Sequence, residues 1–335
     1  MRRSLLLLRI PLREPFVTSH GVMAARELVL LRLEDEDGTV GYGEGAPLES
    51  YDGVTAWAVA QALRNGGGER PPQADAAEEM ARLDLEARRA GLPLGEPGAD
   101  AIAVNRTLPA GPPEETARAA KEALRQGYSC FKVKVGLPDD IERVAAVREA
   151  IGSWPALRLD ANGAWGPDEA VRRISALEPY DLQLVEQPCR TIEELTQVRP
   201  SVGVPVAADE SVATPEDVRA AAESRACDVV NVKLAASGGF SAARRALRAA
   251  DEHGLRAFLS STLDGPWGIA AALQLAASER ISLACGLGTL ELFAARIAHA
   301  LPSPEAGLMA VPQGPGLGVS VDDEALGEVT VEELR

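Results

Sequence analysis

From Ala101 onward the chain alternates short apolar runs with longer stretches rich in alanine and arginine. The apolar runs cover 101–106, 130–135, 157–160, 183–186, 206–209, 229–234, 256–260 and 282–286. Each has the length of a buried strand, and each intervening stretch is long enough for a helix. Strict alternation of the two predicts a parallel sheet, and eight repeats of about 25 residues predict closure into a β/α barrel. Helix starts are marked by Pro112-Pro113-Glu114-Glu115, Gly166-Pro167-Asp168-Glu169 and Thr214-Pro215-Glu216-Asp217. Proline suits the first turn of a helix, and acids there complement its dipole.

The pattern before residue 100 is different. Strands are predicted over 4–11, 27–33 and 39–43, with Glu34-Asp35-Glu36-Asp37-Gly38 as a turn, and alanine-rich helices over 56–64 and 74–90. Residues 1–98 therefore read as an α+β unit ending in the boundary segment 91–98, and residues 99–301 as the barrel. The periodicity stops after Leu301, and 302–335 is expected to return and complete the N-terminal unit.

Five of the apolar runs end in charge: Lys132 and Lys134, then Asp160, Glu186, Asp209 and Lys233. The carboxyl ends of strands are where a β/α barrel keeps its chemistry. Three acids on consecutive strand ends would converge, and unpaired they would repel and raise one another's pKa values. A hard divalent cation resolves that repulsion, and a set of oxygen ligands without His or Cys suits Mg²⁺, with Mn²⁺ as a substitute. Lys132 and Lys134, two apart on one strand, face the same way. Inside a barrel they need carboxylate partners or a catalytic role. Adjacent ammonium groups and a metal would lower a lysine pKa toward the range of a general base. The pattern predicts α-proton removal beside a carboxylate held by a metal.

Composition narrows the partners. With 50 acids against 34 Lys and Arg, the formal charge is −16, a surface that repels nucleic acid and anionic membranes. Three acids, one divalent metal and three ammonium groups still leave the pocket itself cationic, so a small anionic carboxylate is the expected substrate. The run Leu5–Leu8 is too short for a membrane span or a signal sequence, which points to the cytoplasm. Cys130, Cys189, Cys227 and Cys285 are scattered singly and read as buried, reduced thiols without zinc spacing. Oligomeric state is left open by this pattern.

Lys132-Val133-Lys134, Asp160-Ala161-Asn162, Glu186-Gln187-Pro188, Asp209-Glu210-Ser211 and Lys233, in this order and spacing, resemble the muconate-lactonizing subgroup of the enolase superfamily. The resemblance covers the whole chain and implies a modified (β/α)7β TIM-like barrel under an N-terminal α+β capping domain. Within that subgroup, 185–189, 160–165, Ser260-Ser261-Thr262-Leu263-Asp264 and 284–289 are similar to segments of o-succinylbenzoate synthases. That implies a Mg²⁺-dependent syn elimination of water from a cyclohexadiene carboxylate bearing a succinyl chain, a step of menaquinone biosynthesis. Asp160, Glu186 and Asp209 would bind the metal. Lys134 would take the α-proton and return it to the departing hydroxide, Lys132 would tune Lys134, and Lys233 would stay protonated against the ring. Asn162, Ser261, Gly288, Thr289 and the loop residue His20 are the implied substrate contacts.

The alternatives are an N-succinylamino acid racemase or a dipeptide epimerase of the same superfamily. The epimerases usually carry an Asp-x-Asp after the eighth strand, where this chain has Gly286-Leu287-Gly288-Thr289-Leu290-Glu291, which argues against a dipeptide but not against an N-succinyl amino acid. A Schiff-base lyase using Lys233 would leave the three acids without a purpose. A non-catalytic barrel would leave all six charges without one.

Overall fold

The computed structural model describes residues 1–18, 21–66, 70–96, 98–300 and 303–334. An antiparallel sheet opens the chain: β1 (Arg2–Thr18), β2 (Gly21–Glu34) and β3 (Val40–Gly45). Its strands outrun their predicted lengths because β1 and β2 pair as one long hairpin, from Arg2↔Glu34 to Thr18↔Gly21. The apolar run of β2 is buried on both faces. Leu28 and Leu30 join the main core, whereas Val29, Leu31 and Leu33 join a second core against the helices Ala56–Asn65 and Pro72–Ala90. Alternate residues of a strand face opposite sides, so one continuous run serves both cores. Gly43 allows β3 its close approach to the second helix, since a Cβ there would lie 1.9 Å from the Ala77 carbonyl oxygen.

The main sheet is parallel and curled. Among the described residues it holds seven strands: β5 (Arg106–Thr107), β6 (Cys130–Lys134), β7 (Ala156–Asp160), β8 (Leu182–Glu186), β9 (Val206–Ala208), β10 (Val229–Val232) and β11 (Arg256–Leu259). Two of the eight predicted strands come out differently. The run 101–106 splits, because β4 (Ala101–Ala103) pairs antiparallel with β13 (Leu308–Ala310) of the C-terminal segment, leaving only Arg106–Thr107 for the main sheet. The run 282–286 forms no regular strand. Cys285 bridges Val104 and Gly286 bridges Ser260, so two residues join the edges of the sheet.

The register of β6, β7 and β8 is level: Lys134 lies opposite Asp160, and Asp160 opposite Glu186. Asp209 follows β9 directly and Lys233 follows β10. Capping boxes at Thr191 with Glu194 and Thr214 with Asp217 start the helices behind two of these strands. The helix Pro266–Ser278 is buried from Pro266 to Ala277, hydrophobic all round as an interior helix should be. The C-terminal segment also forms β14 (Ser320–Val321), paired with β12 (Ala298–His299), and β15 (Thr330–Leu334), paired antiparallel with β1. All four cysteines are buried and free. No helix among the described residues is long and apolar enough to cross a membrane.

Candidate active site

Level strand ends bring the charges together. Lys134 Nζ lies 2.7 Å from Asp160 Oδ2 and donates to Asn162 Oδ1 at 2.7 Å. Lys132 Nζ lies 2.9 Å from the same Asp160 oxygen and 3.2 Å from Glu186 Oε1. Lys233 Nζ pairs with Asp209 Oδ1 and donates to the Tyr51 hydroxyl at 3.0 Å, above whose ring it sits 4.7 Å from the centroid. Glu186 also accepts from Asn231 Nδ2 at 3.0 Å. The three acids are almost wholly buried, with side chains 1%, 0% and 4% exposed, whereas Lys134 keeps 25% of its surface open.

Burial and the neighbouring Asp160 charge push Glu186 up to about 7. Burial also raises Asp209, and Glu210 beside it. Asp160 goes the other way: burial opposes ionisation, but Lys132 and Lys134 together hold its carboxyl well below the usual range. Burial likewise opposes the charge on Lys132, yet Asp160 and Glu186 raise its pKa, and Asp209 does the same for Lys233. On Lys132 the carboxylates outweigh the like charge of its neighbour, so its pKa rises where crowded ammonium groups alone would lower it.

Among the described residues no three His, Cys, Asp or Glu side chains are drawn together as a metal cage. Lys132 stands between Asp160 and Glu186, and Lys233 covers Asp209. The donor chemistry still fits a hard divalent cation. Four buried carboxylates, Asp160, Glu186, Asp209 and Glu210, face three ammonium groups, and two buried oxygens, Glu210 Oε2 and Asn231 Oδ1, have no hydrogen-bond partner. The surplus is of hard oxygen ligands, the set that Mg²⁺ prefers.

These groups floor a cavity of about 260 Å³. Lys132, Lys134, Asp160, Asn162, Asp209 and Lys233 line its base, Ser261, Thr262, Leu263, Gly288 and Thr289 one wall, and Met23, Leu48, Ser50 and Tyr51 of the first sheet's loops its mouth. Ser261 Oγ and Thr289 Oγ1 lie 2.9 Å apart. His20 falls outside the described residues. Asn162, expected against substrate, lines the cavity and also ties the site together: its Oδ1 accepts from Lys134 and its Nδ2 donates to Glu210 at 2.9 Å.

Tyr51, in the segment Glu49-Ser50-Tyr51 expected to belong to a lid of the N-terminal unit, sits on the short helix Glu49–Asp52, 182 residues from Lys233. Two further contributors had no role in the sequence reading. Asn231 is the polar residue inside the buried run of β10, a signal that could have been read. Gln187 is wholly buried, and its Oε1 accepts from the Asp209 amide at 2.7 Å and the Ser211 hydroxyl at 3.1 Å. It therefore ties the end of β8 to the loop bearing Asp209.

A curled parallel sheet with charged strand ends, beside a separate antiparallel sheet, is the setting in which α/β enzymes of barrel type keep their chemistry. The family model described as Enolase C-terminal domain-like matches residues 115–325, and the chain belongs to that family, within the enolase superfamily. It is 36% identical over 332 residues to o-succinylbenzoate synthase from Thermobifida fusca, covering 96% of this chain and 90% of that protein. It is 33% identical over 303 residues to L-Ala-D/L-Glu epimerase from Bacillus subtilis, covering 81% and 83%. Among solved structures it is similar to the dipeptide epimerase of Enterococcus faecalis complexed with Mg and L-Leu-L-Tyr, with a TM-score of 0.90, 29% identity and 95% and 99% of the two chains covered.

Proposed function

We propose that this protein is an o-succinylbenzoate synthase, a hydro-lyase that removes water from 2-succinyl-6-hydroxy-2,4-cyclohexadiene-1-carboxylate. One observation carries the choice within the family. The wall at Gly286–Thr289 offers a Ser261–Thr289 hydroxyl pair and a glycine but no carboxylate for a substrate ammonium. Glu291 also lines the cavity, but it is engaged there by Arg106 at 2.7 Å. Such a wall suits a succinyl carboxylate better than the amine of a dipeptide.

Asp160, Glu186 and Asp209 are the residues that would hold Mg²⁺, which supplies positive charge to the substrate carboxylate as its α-proton leaves. Lys134 Nζ, the most open of the three ammonium positions, takes that α-proton in its neutral form. The same Nζ then gives the proton to the departing hydroxyl on the same face, so that C–H and C–O bonds break and water forms. Lys132 stays charged between Asp160 and Glu186, a fixed positive charge beside the base. Lys233, pinned by Asp209 and Tyr51, keeps its proton and faces the developing anion. Ser261, Gly288 and Thr289 receive the succinyl end. In this reading residues 1–98 cap the barrel of 99–301, and 302–335 return to the cap, as the pairing of β15 with β1 supports.

The test is an assay with Mg²⁺ on the diene acid, an N-succinyl amino acid and L-Ala-L-Glu. Dehydration should dominate, cease with EDTA and return with Mg²⁺. Epimerisation of the dipeptide without dehydration would overturn the assignment. A lysine on each wall, Lys134 and Lys233, favours a second reading, racemisation of an N-succinyl amino acid. Exchange of its α-proton in D₂O that is lost in both Lys134→Ala and Lys233→Ala would establish it.

A further inference from the structure

We infer that Arg26 is a positioning residue for this site, a strut that sets the distance between the two loops forming opposite sides of its mouth. The inference deepens the reading above, since the substrate it would position is the one proposed there. Arg26, on β2, is buried at 3% exposure and makes no contact with the pocket floor. Its Nε donates to the Leu263 carbonyl at 3.1 Å, and its Nη1 donates to the carbonyls of Pro47 and of Glu27, the latter at 2.7 Å. Pro47 begins the loop that delivers Leu48, Ser50 and Tyr51. Leu263 ends the loop that delivers Ser261 and Thr262.

A second contact runs parallel to the first: the Thr262 hydroxyl lies 3.1 Å from the Ala46 carbonyl and 2.9 Å from Asp264 Oδ1, and its one proton is shared between these two acceptors. Leu263 also needs holding. Its φ of 61° lies in the left-handed region, which a leucine adopts only when its surroundings impose it. The guanidinium bonds the carbonyl of that very residue. A planar group with donors on several edges can bridge diverging carbonyls in a way that a single ammonium cannot. Two carboxylates flank the strut: Glu44, which accepts from the amides of Gly265 and Gly268, and Asp264, which accepts from the Thr262 amide. Burial lowers the arginine's pKa from its ordinary value, and the charges of Asp264, Glu44, Asp52 and Glu27 oppose that shift.

The consequence is that Tyr51, and through it Lys233, is registered against Ser261 and Thr262 by an arginine that touches no substrate. Arg26→Met should raise KM for the diene acid at least tenfold while kcat falls less, and Arg26→Lys should recover only part of that loss. Arg26→Met and Tyr51→Phe combined should cost less than the product of the two single effects, because both act on Lys233. Hydrogen–deuterium exchange supplies a readout independent of any substrate. Segments 46–51 and 260–264 should both exchange faster in Arg26→Met, while β6, β7 and β8 keep their protection. Thr262→Val, which removes one tie at constant shape, should loosen the same two segments to a smaller degree and carries the test if Arg26→Met does not fold. Faster exchange in only one loop, or in neither, would overturn the strut. So would single effects that simply multiply. If the exchange result holds but no diene acid turns over, the strut stands and the proposed reaction fails.

Discussion

Two buried clusters of charge can be compared, one on the pocket floor and one where the first sheet meets the barrel. On the floor, Asp160, Glu186, Asp209 and Glu210 face Lys132, Lys134 and Lys233. At the junction, Glu44 and Asp264 face Arg26. Both carry one more acid than base, and both are withdrawn from water. They differ in how the surplus is met. At the junction, backbone amides do it: Gly265 and Gly268 donate to Glu44, at 2.6 and 3.3 Å, at the start of the helix Pro266–Ser278, and the group left without a partner there is a donor, Arg26 Nη2. On the floor, Glu210 Oε2 and Asn231 Oδ1 are buried acceptors left without partners, next to Asn162 and Glu186 of the site. A surplus met by the protein's own amides holds structure together; one that is left open is fitted to receive a ligand.

The largest effect that sharpens this contrast is on the floor. Lys134→Ala removes the ammonium that is most open to the cavity, and a positioned general base contributes about 10²- to 10⁴-fold. We expect kcat to fall by that factor with the fold unchanged, since Asp160 keeps Lys132 as a partner. Steady-state kinetics on the diene acid, with circular dichroism as control, checks it. A loss smaller than tenfold would make Lys134 another structural ion pair and erase the difference between the clusters.

The second effect is on stability and belongs to the junction. Burial, reinforced by the Asp264 charge, pushes Glu44 up to about 7, against an ordinary value of 4.5. The folded protein therefore binds more protons than the unfolded chain between those values, and its stability falls as pH rises through that window. A shift of that size is worth roughly 3 kcal/mol across the window. Glu44→Gln cannot ionise, so its melting temperature should decline less between pH 4.5 and 7 than that of the parent protein. Parallel melting curves of the two proteins with pH would show that Glu44 is not the titrating group.

How much of this was legible in the sequence follows from the range of each contact. The six charges were legible because they fall at the ends of five successive apolar runs, and neighbouring parallel strands place consecutive ends side by side. The run 282–286 misled for a related reason: its apolar residues look like the other strands. Only its pairing with Val104 and Ser260 reduces it to a two-residue seam. The junction was illegible. Arg26 meets Leu263 across 237 residues and Glu44 meets Gly265 across 221, and neither acid ends a run that predicts a strand of the barrel. Asp264 lay inside a quoted segment, but no local pattern tied it to Arg26.

The smallest effect concerns Tyr51, where the two clusters communicate. Its hydroxyl accepts from Lys233 at 3.0 Å, and its ring lies under the same ammonium. Tyr51→Phe deletes this bond together with the hydroxyl's long donation to Asp209 Oδ1 at 3.4 Å and keeps the ring, so the loss should be about 1 kcal/mol, roughly fivefold in kcat/KM, most of it from the shorter bond. The cation–π contact and the Asp209 pair would still hold Lys233 in place. Tyr51→Ala removes both contacts and should cost more. The ratio of the two variants separates direct contact from loop placement. If Tyr51 only fills space at the mouth, the Phe variant is silent and the Ala variant alone loses activity. If it holds Lys233, the Phe variant already loses a measurable part, and that part vanishes in an Arg26→Met background where the loop no longer presents the hydroxyl.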